Sequence, residues 1–167
     1  MWASKQKVSG FTIIEVIVVV IVISILATVI TVAYQESQAR ARFATYKSDL
    51  VRINEAITVF HAENGRYPLG DGVTTSGSNC VTGTSSFMSS AGLVPSYINP
   101  MPKVVSGGNG SYYAYCWRNN GEEYKLIRLV SSPNTLPAVE ANDKSITIDP
   151  TRSTRGWGYW SPGGSGL

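Results

Sequence analysis

The chain has 167 residues, a net charge of +3, and only 15% charged residues against 43% hydrophobic ones. The length suggests one domain beyond any membrane segment, and so weak a positive balance argues against a nucleic-acid-binding module, which normally shows a concentrated basic face. His61 is the only histidine and no Cys-x-x-Cys pair occurs, so the usual zinc spacings are absent.

In chain order, a short segment with Lys5 and Lys7 comes first, and an apolar stretch then runs from Phe11 to about Tyr34, interrupted by Glu15. About two dozen residues suffice to span a hydrocarbon core at ~1.5 Å per helical residue. A carboxylate inside such a span costs roughly 2.5–3.5 kcal/mol on insertion scales, which marks Glu15 as a functional-site candidate in need of a partner. No cation occurs between Phe11 and Ala39. Cutting the chain between Gly10 and Phe11 would create one, because the new α-amino group would lie one helical turn from Glu15.

A basic leader ending in Gly, then Phe, then a carboxylate at the fifth position of a hydrophobic helix resembles the type IV pilin and pseudopilin family. A secretory signal would have a shorter apolar core, no acid within it and a small-residue site after it. The resemblance implies cleavage of the Gly10–Phe11 bond on the cytoplasmic side by prepilin peptidase, and methylation of the new Phe11 terminus. It also implies pairing of Glu15 with the Phe11 amine of an adjacent subunit, and handling by an inner-membrane assembly platform. Where many members carry a Gly and a Pro within the helix, this chain has Ser24 and Val32.

The basic N-terminal flank favours an N-in, C-out orientation, and the resemblance implies the same. Everything after Tyr34 then lies outside the cytoplasm. The predicted division is a leader over residues 1–10, a membrane and filament-core helix over 11–34, and an extracytoplasmic domain over 35–167. Removing Lys5 and Lys7 with the leader would lower the side-chain charge from +3 to +1. Cys80 and Cys116 form an even pair in a compartment that permits oxidation, which points to a disulfide, with two free thiols as the alternative. The closed loop of about 37 residues would contribute up to roughly 3–4 kcal/mol.

No Gly or Pro occurs between Gly10 and Gly65, so the helix is predicted to continue to Asn64, with Gly65 as its left-handed stop. Phe43, Tyr46, Leu50, Ile53, Ile57 and Phe60 recur at spacings of three and four and make one buried stripe. Arg42, Lys47, Asp49, Arg52, Asn54 and Glu55 are assigned to the solvated side. Asn64-Gly65-Arg66-Tyr67-Pro68 resembles the turn that ends the helix in major pseudopilins and several pilins.

Residues 66–110 read as a long loop rich in Gly, Ser, Thr, Asn and Pro, with one short helix around residues 85–92. The runs 111–118 and 124–130 flank Asn119-Asn120-Gly121-Glu122 and read as a β-hairpin. The Ile127 and Leu129 face of the second strand is expected to meet the helix stripe. Residues 145–148 are expected to give a third strand, and the tail Trp157-Gly-Tyr-Trp160 an edge strand or a folded-back loop. The predicted fold is therefore α+β, one long N-terminal helix packed on a small antiparallel sheet of about three strands. The resemblance implies the same pilin fold.

No catalytic constellation emerges, and the chain is read as neither an enzyme nor a cofactor protein. Asp71, Glu122, Glu123, Asp143 and Asp149 are scattered without the spacing of an acid–base pair, and His61 has no nucleophile beside it at a recognisable elbow. Gly107-Gly108-Asn109-Gly110 lacks the Lys and Ser/Thr of a phosphate loop. The resemblance raises calcium, bound by type II secretion pseudopilins in the region of Glu140, Asn142, Asp143 and Asp149. These residues match no EF-hand spacing, and an ordinary solvated loop is the favoured reading. The aromatic tail is read as a packed cover, with an adhesive surface as the alternative.

The favoured function is a self-assembling structural subunit of a type IV pilus-like filament, since head-to-tail contacts that do not close on a ring give open filaments. The alternatives are a type II secretion pseudopilin, a competence-type pilin that binds DNA, and an unprocessed membrane-anchored binding domain.

Overall fold

In the computed structural model, the structure describes residues 10–70, 73–75, 78–82, 92–100, 102 and 110–167. One helix, α1 (Ile13–Asn64), contributes to both of the compact units into which the chain divides, Met1–Gln38 and Ala39–Leu167. The helix ends where the sequence predicts: Gly65 has φ +70° and its N–H donates to the His61 carbonyl at 2.8 Å. A left-handed C′ residue of this kind satisfies a carbonyl that the last turn leaves open, and glycine adopts it without a Cβ clash.

Within Ala39–Leu167, the helix packs on an antiparallel sheet in which neighbours in sequence are neighbours in space, from β1 (Val73–Thr75), β2 (Ser78–Thr82) and β3 (Ser111–Arg118) to β4 (Glu123–Val130) and β5 (Gly156–Trp160). A short helix, α2 (Ala138–Ala141), precedes β5. The β3–β4 pair is the predicted hairpin, in register from Ser111 opposite Val130 to Arg118 opposite Glu123. Its turn requires left-handed backbone at three successive residues, with φ of +52° at Asn119, +54° at Asn120 and +89° at Gly121. Asparagine tolerates this region better than most residues and glycine best, which is why Asn-Asn-Gly closes the hairpin. Arg118 Nε donates to Glu123 Oε2 across the strand ends at 2.7 Å.

The expectation is about three strands; among the described residues the sheet has five. β1 and β2 lie within the segment read as loop; their composition, Val-Thr-Thr and Ser-Asn-Cys-Val-Thr, is too polar and too short for a hydrophobic period to stand out. Residues 145–148 do not form a strand. Ser145 is held in a local turn, its N–H donating to Asp143 Oδ1 at 2.7 Å, and only an isolated bridge joins Ile148 to Trp157. The fifth strand comes instead from the aromatic tail, paired with β4 from Lys125 opposite Trp160 to Leu129 opposite Gly156. The helix expected around residues 85–92 falls mostly on 85–91, outside the described residues.

The stripe packs as predicted: Phe43, Tyr46, Leu50, Ile53 and Ile57 are buried against Tyr113, Tyr115, Trp117, Tyr124, Leu126, Val130 and Trp157, with Phe60 half-buried beside them. Full burial of an aliphatic side chain stabilises by about 1.5–3 kcal/mol, so Leu50, Ile53 and Ile57 anchor this contact. Asp49, assigned to solvent, is instead only 8% exposed and accepts a 2.9 Å bond from the Tyr113 hydroxyl. The helical period explains this, because Asp49 lies three residues after Tyr46 and four before Ile53, inside the stripe. Burial pushes its carboxyl above the usual range, against the Tyr113 bond and the charge of Arg52.

The face of β4 is a second correction. Tyr124, Leu126 and Val130 belong to the cluster under the helix, whereas Ile127 and Leu129 pack with Ala114, Tyr112 and Trp160 in a separate cluster. Alternation then places Arg128 on the Leu126 face, where its side chain is 2% exposed. Its guanidinium lies 4.4 Å from the centre of the Tyr46 ring, and Nη1 lies 3.0 Å from Glu140 Oε2. Nη2 donates to Ser111 Oγ at 3.0 Å, and Glu140 Oε2 also accepts from Trp157 Nε1 at 2.8 Å. Burial raises the Glu140 carboxyl above its usual range, opposed by the Trp157 bond and the Arg128 charge. With a counter-charge and an aromatic platform in place, the charged face of β4 can meet the helix.

Three variants test this packing by unfolding of the full chain in detergent. Glu140→Ala leaves a buried, unpaired guanidinium and should lower stability by about 3–5 kcal/mol, while Arg128→Met combined with Glu140→Leu should lose markedly less. Gly121→Ala should cost about 1–3 kcal/mol, because its φ is +89° and a Cβ there would sit 2.6 Å from the Tyr67 carbonyl oxygen. Equal losses for the single and double variants would show that charge compensation is not what permits burial of Arg128.

Candidate functional site

The first turn of α1 brings together the residues that the sequence singles out at the N-terminal end. Gly10, Phe11 and Thr12 precede the helix, and Glu15 lies in its first turn. Thr12 is the N-cap and Glu15 the third helical residue, the spacing of a capping box. Both halves of the box are present. Glu15 N–H donates to Thr12 Oγ1 at 3.3 Å, and Glu15 Oε2 accepts from Thr12 N–H at 2.8 Å. Oε2 also accepts from the Thr12 hydroxyl at 2.7 Å. Helix starts leave backbone donors without partners, and this exchange satisfies two of them while placing the carboxylate near the positive end of the helix.

The partner of Glu15 within its own chain is therefore Thr12, a residue that the sequence reading passed over. The signal was present as Thr-Ile-Ile-Glu, a Thr-x-x-Glu box directly before an apolar run. Both Thr12 bonds fall on Oε2, and among the described residues nothing bonds Oε1. Gly10 and Phe11 are exposed, Phe11 at 84%, so the peptide bond between them is accessible. The leader residues before Gly10 lie outside the described residues.

Beyond the box the helix is long and apolar enough to cross a membrane, with a mean hydropathy of 3.2 over its best window and none of that window buried within the chain. Its large apolar residues from Ile13 to Ile30 are all at least half exposed. The remaining polar side chains return to the helix backbone. Ser24 Oγ donates to the Val20 carbonyl at 2.7 Å, Thr28 Oγ1 to Ile25 at 2.7 Å, and Thr31 Oγ1 to Ala27 at 2.9 Å. Every polar side chain between Thr12 and Thr31 thus has a partner in its own helix, as a solvent without hydrogen bonds demands. The apolar helix fits a membrane-anchored protein.

The other candidates are separated. Glu140 serves Arg128 and Trp157, Asp143 bonds Ser145 and lies 3.7 Å from Lys47, and Asp149 bonds Lys125. Asn142 caps α2 with its N–H on the Ala138 carbonyl at 3.1 Å. Among the described residues no group of three metal-ligating side chains forms, so the four calcium candidates are not brought to one point. His61 stacks on Tyr67 with ring centres 4.1 Å apart. Cys80 and Cys116 are opposite one another in the β2–β3 ladder and joined as a disulfide, which ties β2 to β3.

Compared with known proteins, residues 5–31 match the family model of the prokaryotic N-terminal methylation motif. No curated protein and no solved structure matches the chain.

The capping box makes a separate prediction. Thr12→Val keeps the shape but removes the hydroxyl, and should destabilise the helix start by about 1 kcal/mol. Amide exchange measured in micelles should then speed up roughly fivefold at residues 13–15 and stay unchanged beyond Ser24. Unchanged exchange in the first turn would show that the box does not hold it.

Proposed function

Since the chain carries the N-terminal methylation motif, which marks the type IV pilin-like and pseudopilin class, we propose that it is a structural subunit of a type IV pilus-like filament. The single observation that carries this reading is the motif itself, lying over residues 5–31 and enclosing both the Gly10–Phe11 bond and Glu15. Prepilin peptidase removes residues 1–10, Phe11 becomes a methylated N-terminus, and residues 11–34 hold the monomer in the cytoplasmic membrane. Residues 35–167 lie outside the cytoplasm. An assembly platform then moves the subunit from lipid into a filament, where the apolar helix buries its surface against copies of itself.

On this reading the Thr12–Glu15 box is the resting state of the charge. Within the bilayer the carboxylate is satisfied by its own helix through Oε2, which lowers the cost of holding it in an apolar medium. In the filament it pairs with the Phe11 amine of a neighbour, an opposite charge that lipid does not supply. Each added subunit gains a desolvated ion pair and a fixed axial register. Because the contact is heterologous and does not close, the product is a fibre and not a ring.

Two measurements test the proposal. Intact mass and peptide sequencing of protein from its native envelope should give a chain that starts at Phe11 and carries one methyl group. A chain that starts at Met1 would replace the filament subunit with a signal-anchored exterior domain. Glu15→Gln should leave membrane insertion and cleavage intact and reduce sheared filament at least tenfold; wild-type filament yield from this variant would refute the pairing.

A further inference from the structure

A groove of about 560 Å³ runs between the second half of α1 and residues 96–99, lined by Arg52, Glu55, Ala56, Val59, Glu63 and Tyr97. Both walls are held by the chain itself. Leu93 and Ile98 anchor the outer segment in the core, and the Phe60 and Tyr97 rings meet edge-on at 5.4 Å. The Tyr97 hydroxyl donates to Glu63 Oε2 at 2.5 Å, and Arg52 Nη2 donates to the Pro100 carbonyl at 3.3 Å. Those bonds engage Glu63 and Arg52 but not Glu55, whose carboxylate has no hydrogen bond or ion pair among the described residues. One helical turn away, Val59 is 50% exposed. The groove therefore sets a free carboxylate beside an apolar surface, a combination that one lysine satisfies with its ammonium and its methylene stem.

Lys144 is such a lysine. It is exposed, and among the described residues nothing bonds its ammonium. Its turn is pinned on both sides: Ser145 N–H donates to Asp143 Oδ1 at 2.7 Å, Lys47 Nζ lies 3.7 Å from Asp143 Oδ2, and Ile146 packs against the core. Backbone that is already ordered loses little freedom on docking. Within one chain Lys144 and Glu55 do not meet, because the Lys47 contact sets the turn about 12 Å from Glu55 along the helix at ~1.5 Å per residue. We infer that Lys144 of one copy enters the groove of another and pairs with Glu55, a contact that rests on the filament reading and joins the folded units of neighbouring subunits.

Groove and turn are different surfaces of one unit, so the contact is heterologous. A copy that fills its neighbour's groove leaves its own groove open, and the series extends without closing on a two-fold pair. Charge disfavours the opposite arrangement. Around residues 36–47 of α1 and the turn beside Lys47, the cations Arg40, Arg42, Lys47 and Lys144 outnumber the acids Glu36 and Asp143. Two copies meeting there would set cation against cation, whereas the groove presents Glu55. An ion pair at an open rim contributes little energy by itself. Its effect is to select one register, and a filament repeats that selection at every subunit.

The experiment is carbodiimide treatment of the full chain in its native envelope and in sheared filaments, since this zero-length reagent joins a carboxylate to an amine only where they touch. Peptide sequencing of the product with twice the chain mass should find Lys144 joined to Glu55, and Lys144→Gln or Glu55→Gln should remove that link. Glu55→Lys and Lys144→Glu should each lower filament yield roughly fivefold, and the double reversal should return it to within about twofold of wild type. Each variant should melt in detergent within about 2 °C of wild type, so that filament loss is not loss of fold. Wild-type filaments without the Lys144–Glu55 link overturn this inference and leave the filament reading standing. The link in an envelope that yields no filament does the reverse, and the absence of both overturns both. A double reversal no better than the single variants overturns the pairing.

Discussion

The ion pair between Arg128 and Glu140 is the interaction on which the arrangement of the folded unit depends. Strand β4 must present one face to α1, and alternation puts Leu126 and Arg128 on the same face. A guanidinium between a helix and a sheet is tolerable only with a counter-charge and a surface that accepts its plane. Glu140 on α2 provides the first and Tyr46 on α1 the second. Because the same carboxylate receives the Trp157 indole N–H, it also fixes β5 against the core, where Trp157 meets Phe43 edge-on at 5.7 Å.

One pattern recurs among the described residues where charge meets an apolar environment. Arg128 finds Glu140, Lys125 finds Asp149 and three further oxygens, Asp49 finds the Tyr113 hydroxyl, and Glu15 finds Thr12. Each partner is local to its unit and belongs to the same chain. A buried charge without a partner costs several kcal/mol, and a buried pair can be close to neutral in net stability. The pairs are well suited to fixing which face of a strand turns inward and which loop closes over which strand. On the proposed function Glu15 is the exception in kind, because its internal partner is neutral and an incoming subunit can therefore improve on it.

The sheet was only partly legible in the sequence, for definable reasons. The β3–β4 hairpin stood out because aromatic and β-branched runs flank Asn-Asn-Gly, and the helix because 54 residues lie between Gly10 and Gly65 without a Gly or Pro. β1 and β2 did not stand out, since a short strand of polar residues has no apolar period to detect. The Ile127 face was assigned inward on hydrophobicity alone, which ignores that an arginine can be neutralised from a distant helix. Thr12 was missed for a different reason. Its box is written in four consecutive residues, Thr-Ile-Ile-Glu, but a buried-looking charge and a capping carboxylate are the same residue in the sequence, and only the fold shows which bonds Glu15 makes.

The membrane-competent helix, its stop at Gly65, the hairpin turn, the buried helix stripe and the motif around Gly10, Phe11 and Glu15 are all written in the linear chain. These rest on local propensity, short-range spacing and hydrophobic period, all of which act between residues near one another in the chain. The strand order among the described residues, the inward face of β4, the burial of Asp49 and the distribution of the acids emerge from the folded chain. Glu140 went to Arg128, Asp143 to Lys47 and Asp149 to Lys125. The physical reason is that charge compensation acts through space: whether a lysine or an aspartate can be buried depends on which oxygen or cation the fold carries to it from dozens of residues away.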